Sequence, residues 1–233
     1  SGALTFSGRT SYTGATRASG GTLSVSGQLN GNAVIDTGAT LRLGSGANGS
    51  ITNNGVLAQQ GAGFSRTITG NFVQSGNARF AFLVGAPLHV QGTASLAGEL
   101  QVAGIASGYV RNNRENVVLA SGGLSGQFAT LTSGPGVFLE ASLGYDANTA
   151  WLNIARLDIT AVAMAMGSIT PASLGSAQRI EDAFDVIDTQ PRDGGGISAG
   201  FIAAAGEFQS AASQAQAQAS LESLSGELHA AAD

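Results

Sequence analysis

The sequence predicts a mainly β chain wound as a parallel β-helix, or solenoid, with a small α-helical segment at its C-terminal end. Three observations predict it. Apolar and polar residues alternate in short runs as far as Arg156, those runs return about every 15–20 residues, and beyond Arg156 the apolar spacing becomes helical.

The alternating runs come first. Thr22-Leu23-Ser24-Val25, Thr40-Leu41-Arg42-Leu43, Phe80-Ala81-Phe82-Leu83-Val84 and Glu99-Leu100-Gln101-Val102 each set apolar residues on one face, as in strands buried on one side. Glycine separates them, at Gly20-Gly21, Gly31, Gly38, Gly44 and Asn54-Gly55 among others, where the chain can turn sharply. Leu23/Val25, Leu41/Leu43, Val56/Leu57, Phe72/Val73 and Leu88/Val90 mark the repeat. A hairpin meander would return roughly every 8–12 residues. The longer spacing fits one coil of a solenoid with two or three short strands per turn, whose equivalent side chains pile into ladders. A β-sandwich with irregular loops is the competing architecture.

Past Arg156 the composition turns alanine-rich, and ten of the fifteen acidic residues lie there. Thr170-Pro171 reads as an N-cap and first helical residue, ahead of Leu174, Ala177, Ile180, Phe184 and Ile187 at helical spacing, with Glu181, Asp182, Asp185 and Asp188 on other faces. Gln190 to Gly196 breaks that helix. A second helical stretch, about Ser198 to Phe208, is expected to be interrupted at Gly206. A third, about Ser210 to Ala231, carries Leu221, Leu224 and Leu228 on one stripe and little other apolar surface. Such a helix needs an enclosing partner.

Composition excludes several function classes. Without cysteine there is no disulfide and no thiolate metal site. A net charge of -5 lacks the basic face that nucleic acid requires. Ile159–Ile169 and Ile197–Gly206 are too short to span a bilayer. No signal peptide opens the chain, and Ser1-Gly2-Ala3-Leu4-Thr5-Phe6 reads as the middle of a strand pattern, so the chain is expected to be a piece whose targeting signal lies upstream.

Three stretches resemble the C-terminal passenger region of bacterial autotransporters. Ala3-Leu4-Thr5-Phe6-Ser7-Gly8, Ser11-Tyr12-Thr13-Gly14-Ala15-Thr16 and Gly20-Gly21-Thr22-Leu23-Ser24-Val25 look like the repeat that precedes the autochaperone in that family. Gly98 to Ile154 is similar to a pertactin-like autochaperone, through Tyr109, Val117-Val118-Leu119-Ala120, Gly122-Gly123-Leu124-Ser125-Gly126-Gln127-Phe128, Leu143-Gly144-Tyr145-Asp146 and Trp151-Leu152-Asn153-Ile154. Ser220 to Ala230 looks like the "LxxLSGExHA" segment at the passenger–barrel junction, common where the N-terminal cargo is a subtilisin-like protease. The resemblance implies a right-handed β-helix stalk over 1–97, an autochaperone-like cap over 98–156 and a helical linker over 157–233 leading to an outer-membrane β-barrel. It also implies a type V secretion route through periplasm and outer membrane to the cell surface, with the barrel and an upstream cargo as partners. Leu119, Phe128, Tyr145 and Trp151 are then the expected core of the cap.

The residues themselves offer little chemistry. Glycosidic hydrolysis needs two carboxylates placed together, whereas Asp36, Glu99, Glu115, Glu140 and Asp146 are well separated in sequence, and Asp36 beside Thr37-Gly38 reads as a turn residue. His89 points outward by alternation, and His229 belongs to the junction motif. No serine sits in a nucleophile elbow. Phe64, Phe72, Phe80, Phe82, Phe128, Phe138 and Trp151 read as core ladders rather than a binding stripe, and Arg111 and Arg114 flank Asn112-Asn113 in a polar turn. The expectation is a chain with no catalytic, cofactor or metal site. A surface adhesin that binds host glycan or protein is the alternative, and a β-helical carbohydrate-active enzyme is a more distant one.

Overall fold

A computed structural model describes residues 2–7, 14–61, 65–105, 109–111, 113–133, 139–167, 169–190, 196–209, 211 and 213–225. Strands β1 (Ala3–Phe6) and β2 (Thr16–Ala18) open the chain. Five complete coils of three strands follow. They are β3 (Gly21–Val25), β4 (Gln28–Asn30) and β5 (Ala33–Ile35); β6 (Ala39–Leu43), β7 (Gly46–Asn48) and β8 (Ile51–Asn53); β9 (Val56–Gln59), β10 (Arg66–Ile68) and β11 (Phe72–Gln74); β12 (Arg79–Val84), β13 (Leu88–Val90) and β14 (Ala94–Leu96); and β15 (Glu99–Ile105), β16 (Asn113–Ala120) and β17 (Leu124–Gly126). Strands β18 (Thr130–Ser133), β19 (Leu139–Tyr145) and β20 (Thr149–Arg156) close the β region.

The first strand of each coil joins one sheet, ordered β1-β3-β6-β9-β12-β15-β18. The second joins a sheet ordered β19-β20-β16-β13-β10-β7-β4, and the third a sheet ordered β17-β14-β11-β8-β5-β2. Coil-to-coil pairing is parallel. The protein is therefore a parallel β-solenoid with three faces.

Register explains why alternation was so regular. Leu23 pairs with Leu41, Leu41 with Leu57, Leu57 with Phe80 and Phe80 with Leu100, and all five are buried. Leu29, Ala47, Ile68, Val90 and Ala120 form the ladder of the second sheet, and Ala33, Ile51, Phe72 and Ala94 that of the third. Phe80 meets Phe72 and Phe82 with ring centroids 6.1 Å apart in each case. Removing one such leucine would cost about 2–5 kcal/mol, because close-packed neighbours do not fill the cavity left behind. The ladder after Leu57 runs to Phe80, not to Phe72 as the repeat suggested; Phe72 lies in the third sheet. A three-strand coil presents three similar runs, and linear spacing cannot tell which of them returns to the same face.

Glycine is needed where coils touch. At Gly98 φ is +66°, and a Cβ would strike the Ala78 carbonyl of the coil before. The turn thus hugs its neighbour, and the Gly98 carbonyl accepts Ala129 N at 2.6 Å.

The chain divides into two compact units, Ser1–Ala106 with Arg114–Gly134 and Ser142–Asn153, and Ser107–Asn113 with Pro135–Ala141 and Ile154–Asp233. No division falls at 97/98; β15 to β18 continue the ladders of the earlier coils. The second unit is helical, with α1 (Ile159–Ala165), α2 (Pro171–Thr189), α3 (Ala199–Gln209) and α4 (Gln214–Ser225). Thr170 caps α2 by accepting Ser173 N at 3.1 Å, ahead of Pro171. Asp158 caps α1 in the same way. The first of these helices was not expected. Gly206 does not interrupt α3 but is buried within it. Leu221 is buried while Leu224 is 59% exposed, so the predicted stripe on α4 is split; Leu228 and His229 lie outside the described residues.

Ile159, Ala163, Ala177, Phe184, Ile187, Ala205, Ala217 and Leu221 form the helical core. Tyr109 stacks edge-on against Phe184 at 4.8 Å. Gln209, fully buried, accepts Val110 N at 2.7 Å and donates to Val110 O at 2.6 Å, and Arg111 donates to the Gln190 carbonyl at 2.7 Å where α2 ends. Among the described residues no helix is long and apolar enough to cross a membrane.

Candidate functional site

The closing coil is the most elaborated part of the solenoid. Strands β19 and β20 are neighbours joined by only Asp146, Ala147 and Asn148, a link too short for a parallel crossover, so they form an antiparallel hairpin. Asp146 shapes the turn by accepting Asn148 N at 2.9 Å and Thr149 N at 2.7 Å. Those two backbone donors, led by Asn148, hold its carboxyl below the ordinary range. Asn148 then clamps the hairpin to the preceding coil, donating its amide to Ala120 O and accepting Ala120 N, both at 2.8 Å. Beyond β16 the hairpin covers an edge that would otherwise present unpaired backbone groups.

The four residues expected in the cap core occupy different places. Phe128 is buried, 6% exposed. Tyr145 is half-buried, and its hydroxyl accepts Phe128 N at 3.1 Å; burial raises its pKa. Leu119 and Trp151 are on the outer face, which corrects the expectation of core positions. Alternation decides both. Leu119 continues the outward row of Thr67 and His89, and on β20 the inward residues are Ala150, Leu152 and Ile154. Trp151 lies against Gly144, where a Cβ would overlap the indole, and the Arg114 guanidinium sits 3.5 Å from its ring. Its Nε1 donates to Asn153 Oδ1 at 3.0 Å. Arg114 is thus a strand residue packed on an aromatic face and bonded to Asp146 at 3.4 Å, rather than a turn residue. The lack of a side chain at Gly144 makes the seat for the ring.

Polar groups inside the solenoid were missed in the sequence. Asn53 donates to Gln74 Oε1 at 3.1 Å and to Arg79 O at 2.9 Å, while its own oxygen accepts Gly55 N. Gln74 donates onward to Ala97 O at 2.8 Å and Glu99 O at 3.0 Å. Arg66, fully buried, donates to the carbonyls of Leu43, Gln60 and Gly61, and burial lowers its pKa. Parity was the available signal: Arg66 shares a face with Ile68, Asn53 with Ile51 and Gln74 with Phe72.

In the helical unit Arg156 is the centre of charge. Its guanidinium meets Glu181 at 2.6 Å, Asp185 at 2.6 Å and Asp188 at 2.9 Å, all from α2. Spacings of four and three residues bring these carboxylates to one helix face, which the sequence reading had scattered over several. Glu181 also accepts Ile159 N at 2.7 Å, tying the start of α1 to α2. Burial, then the charge of Asp188, drives the Tyr109 phenol far above its ordinary value.

Three of the solenoid's acids serve as structural partners: Asp36 to Arg17 at 2.7 Å beside its turn, Glu99 to Arg79 at 2.7 Å, and Asp146 as described. A hydrogen bond from Thr132 chiefly, with Arg79 adding to it, holds the Glu99 carboxyl below its usual range. Phe64 and Phe138 lie outside the described residues, as do Gly8 to Thr13 of the first resembling repeat and Gly226 to Ala230 of the junction motif. Fold and site together define a parallel β-solenoid with a hairpin-closed last coil and a separate helical unit. No family model matches the chain, and no curated protein matches it.

Proposed function

We propose that the chain is a non-catalytic stalk and folding platform, the C-terminal passenger region of an autotransporter. The observation that carries this reading is the closing coil, with its hairpin clamped by Asn148 onto Ala120 and its Tyr145–Phe128 bond. A parallel solenoid joins residues far apart in sequence, so its first coil is the slowest to form. A coil that carries a short-range antiparallel hairpin forms more readily and then templates its neighbours. In this reading residues 98–156 reach the cell surface first and fold there, and the earlier coils stack on them. The helical unit leads to the outer-membrane barrel, and the stalk carries an upstream cargo, a subtilisin-like protease where the junction motif is found.

The test displays the full-length parent on cells and compares Phe128→Ala and Tyr145→Phe with Leu23→Ala. Truncating a buried phenylalanine costs about 3–5 kcal/mol and a buried leucine about 2–5 kcal/mol, so stability alone would not separate them. Placement in the nucleus would. The closing-coil variants should lose protease-resistant surface passenger, whereas Leu23→Ala should fold and then unfold locally. Equal behaviour would make this coil another length of stalk.

A further inference from the structure

The geometry points to a binding site for a single-chain anionic amphiphile, such as a medium-chain carboxylate, between α2, α3 and α4. A pocket of about 330 Å³ opens there, within the size range of small-molecule sites. Its walls are apolar: Ile180 and Phe184 from α2, Phe201 and Phe208 from α3, and Leu224 from α4. Phe201 is 45% and Leu224 59% exposed, so two large apolar side chains border the opening uncovered.

Two residues of the pocket's lining are polar. Ser176 and Arg179, one helical turn apart on α2, both line it, and Arg179 donates to the Ser176 hydroxyl at 3.1 Å. That bond holds an exposed guanidinium in the lining of an otherwise apolar chamber. The other described arginines of this unit are committed, Arg111 to the Gln190 carbonyl and Arg156 to three carboxylates. Arg179 forms no ion pair with a described carboxylate, although the unit is rich in acids. A planar fork of donors beside an apolar chamber suits a carboxylate head on an alkyl tail. Charge selects this occupant over a second copy of the chain, since two acidic helical units would have to meet across the opening.

The experiment titrates the whole chain, below micelle-forming concentrations, with decanoate, decanol and decyltrimethylammonium by calorimetry. Decanoate should bind at one saturable site, at least tenfold tighter than decanol, and the cationic amphiphile should bind weakest. Arg179→Gln should remove that tenfold preference and leave decanol binding unchanged. Ala204→Trp, which places a ring in the pocket from its exposed rim, should abolish binding of both while the helical circular dichroism is retained. Equal binding of the three amphiphiles, decanoate binding that survives both substitutions, or no saturable binding would overturn the proposal. A ligand-free dimer that Phe201→Ser dissolves would also overturn it, by assigning the opening to a second copy.

Discussion

Asn53 and Gln74, one coil apart on the third sheet, share a 3.1 Å hydrogen bond between their side-chain amides at a site where both are sealed from water. Each amide is further tied to backbone of its own or a following coil, so the pair fastens the corner where the chain passes from the third sheet to the first.

Gln74→Leu should therefore destabilise the solenoid even though it adds apolar volume. The carbonyls of Ala97 and Glu99 and one Asn53 donor would lose their partner, at about 1–3 kcal/mol for a buried unsatisfied group. Asn53→Leu should cost a similar amount. The double variant should cost less than the two together, because they share one bond. Urea midpoints of the four proteins read this directly, and strict additivity would mean that the amides act separately.

Trp151 is the only tryptophan, so its fluorescence reports the hairpin alone. Gly144→Ala should push the indole off its seat, red-shift its emission and open it to acrylamide quenching, since the new Cβ would overlap the ring. Arg114→Ala should have a weaker effect of the same sign, through loss of a contact worth about 0.5–1 kcal/mol at an exposed site. An unchanged spectrum in Gly144→Ala would show that the ring rests elsewhere.

Much of this molecule was legible in its residues, and the failures have a common physical origin. Period-two alternation placed Leu23, Leu41 and Phe80 inside correctly, and the Thr170-Pro171 pair marked the start of α2. Trp151 and Leu119 were misplaced because the expectation drawn from the resemblance was set above parity: their neighbours Ala150, Leu152 and Ala120 hold the inward positions. Arg66, Asn53 and Gln74 were missed for the mirror reason. They stand at inward parity, but their backbone partners come from other turns and coils, and sequence spacing does not reveal those partners. The convergence of Arg156 with Glu181, Asp185 and Asp188 likewise requires knowing where β20 delivers its last residue.

Acid should weaken the solenoid partly through Glu99. Its folded pKa lies below the ordinary value of 4.5, so its contribution is complete above that pH and is lost as pH falls through the depressed folded value. Urea midpoints measured from neutral pH down to about pH 3 should fall less steeply for Glu99→Gln than for the parent. Parallel curves would show that the Thr132 and Arg79 contacts do not favour the ionised form in solution.

Tyr109 gives the opposite limb. Its folded pKa is raised above the ordinary 10.0, chiefly by burial and then by the Asp188 charge. Its contribution is complete below pH 10.0 and is lost as pH rises toward the raised folded value. An absorbance titration of the tyrosines should show the last phenolate, later than that of Tyr145, appearing together with loss of helical signal, and Tyr109→Phe should remove that step. A phenolate that forms with the helices intact would mean that the ring is open to water.

The largest single effect is expected at Arg156, whose side chain is only 8% exposed. Removing it leaves Glu181, Asp185 and Asp188 facing one another without a cation, and Glu181 and Asp188 are themselves mostly buried, at 15% and 20% exposed. Breaking a buried ion pair from one side costs about 3–5 kcal/mol, and the 64% exposure of Asp185 places its own share low in any such total. Arg156→Met should therefore lower the melting temperature of the helical signal. Arg156→Lys should recover only part of the loss, since one ammonium cannot span three carboxylates as a planar fork does. Adding Glu181→Gln and Asp188→Asn to Arg156→Met should restore stability, because the uncompensated buried charge goes with them. A triple variant no more stable than Arg156→Met would locate the contribution of Arg156 in its packing over Phe184, 5.7 Å from that ring, rather than in its charge.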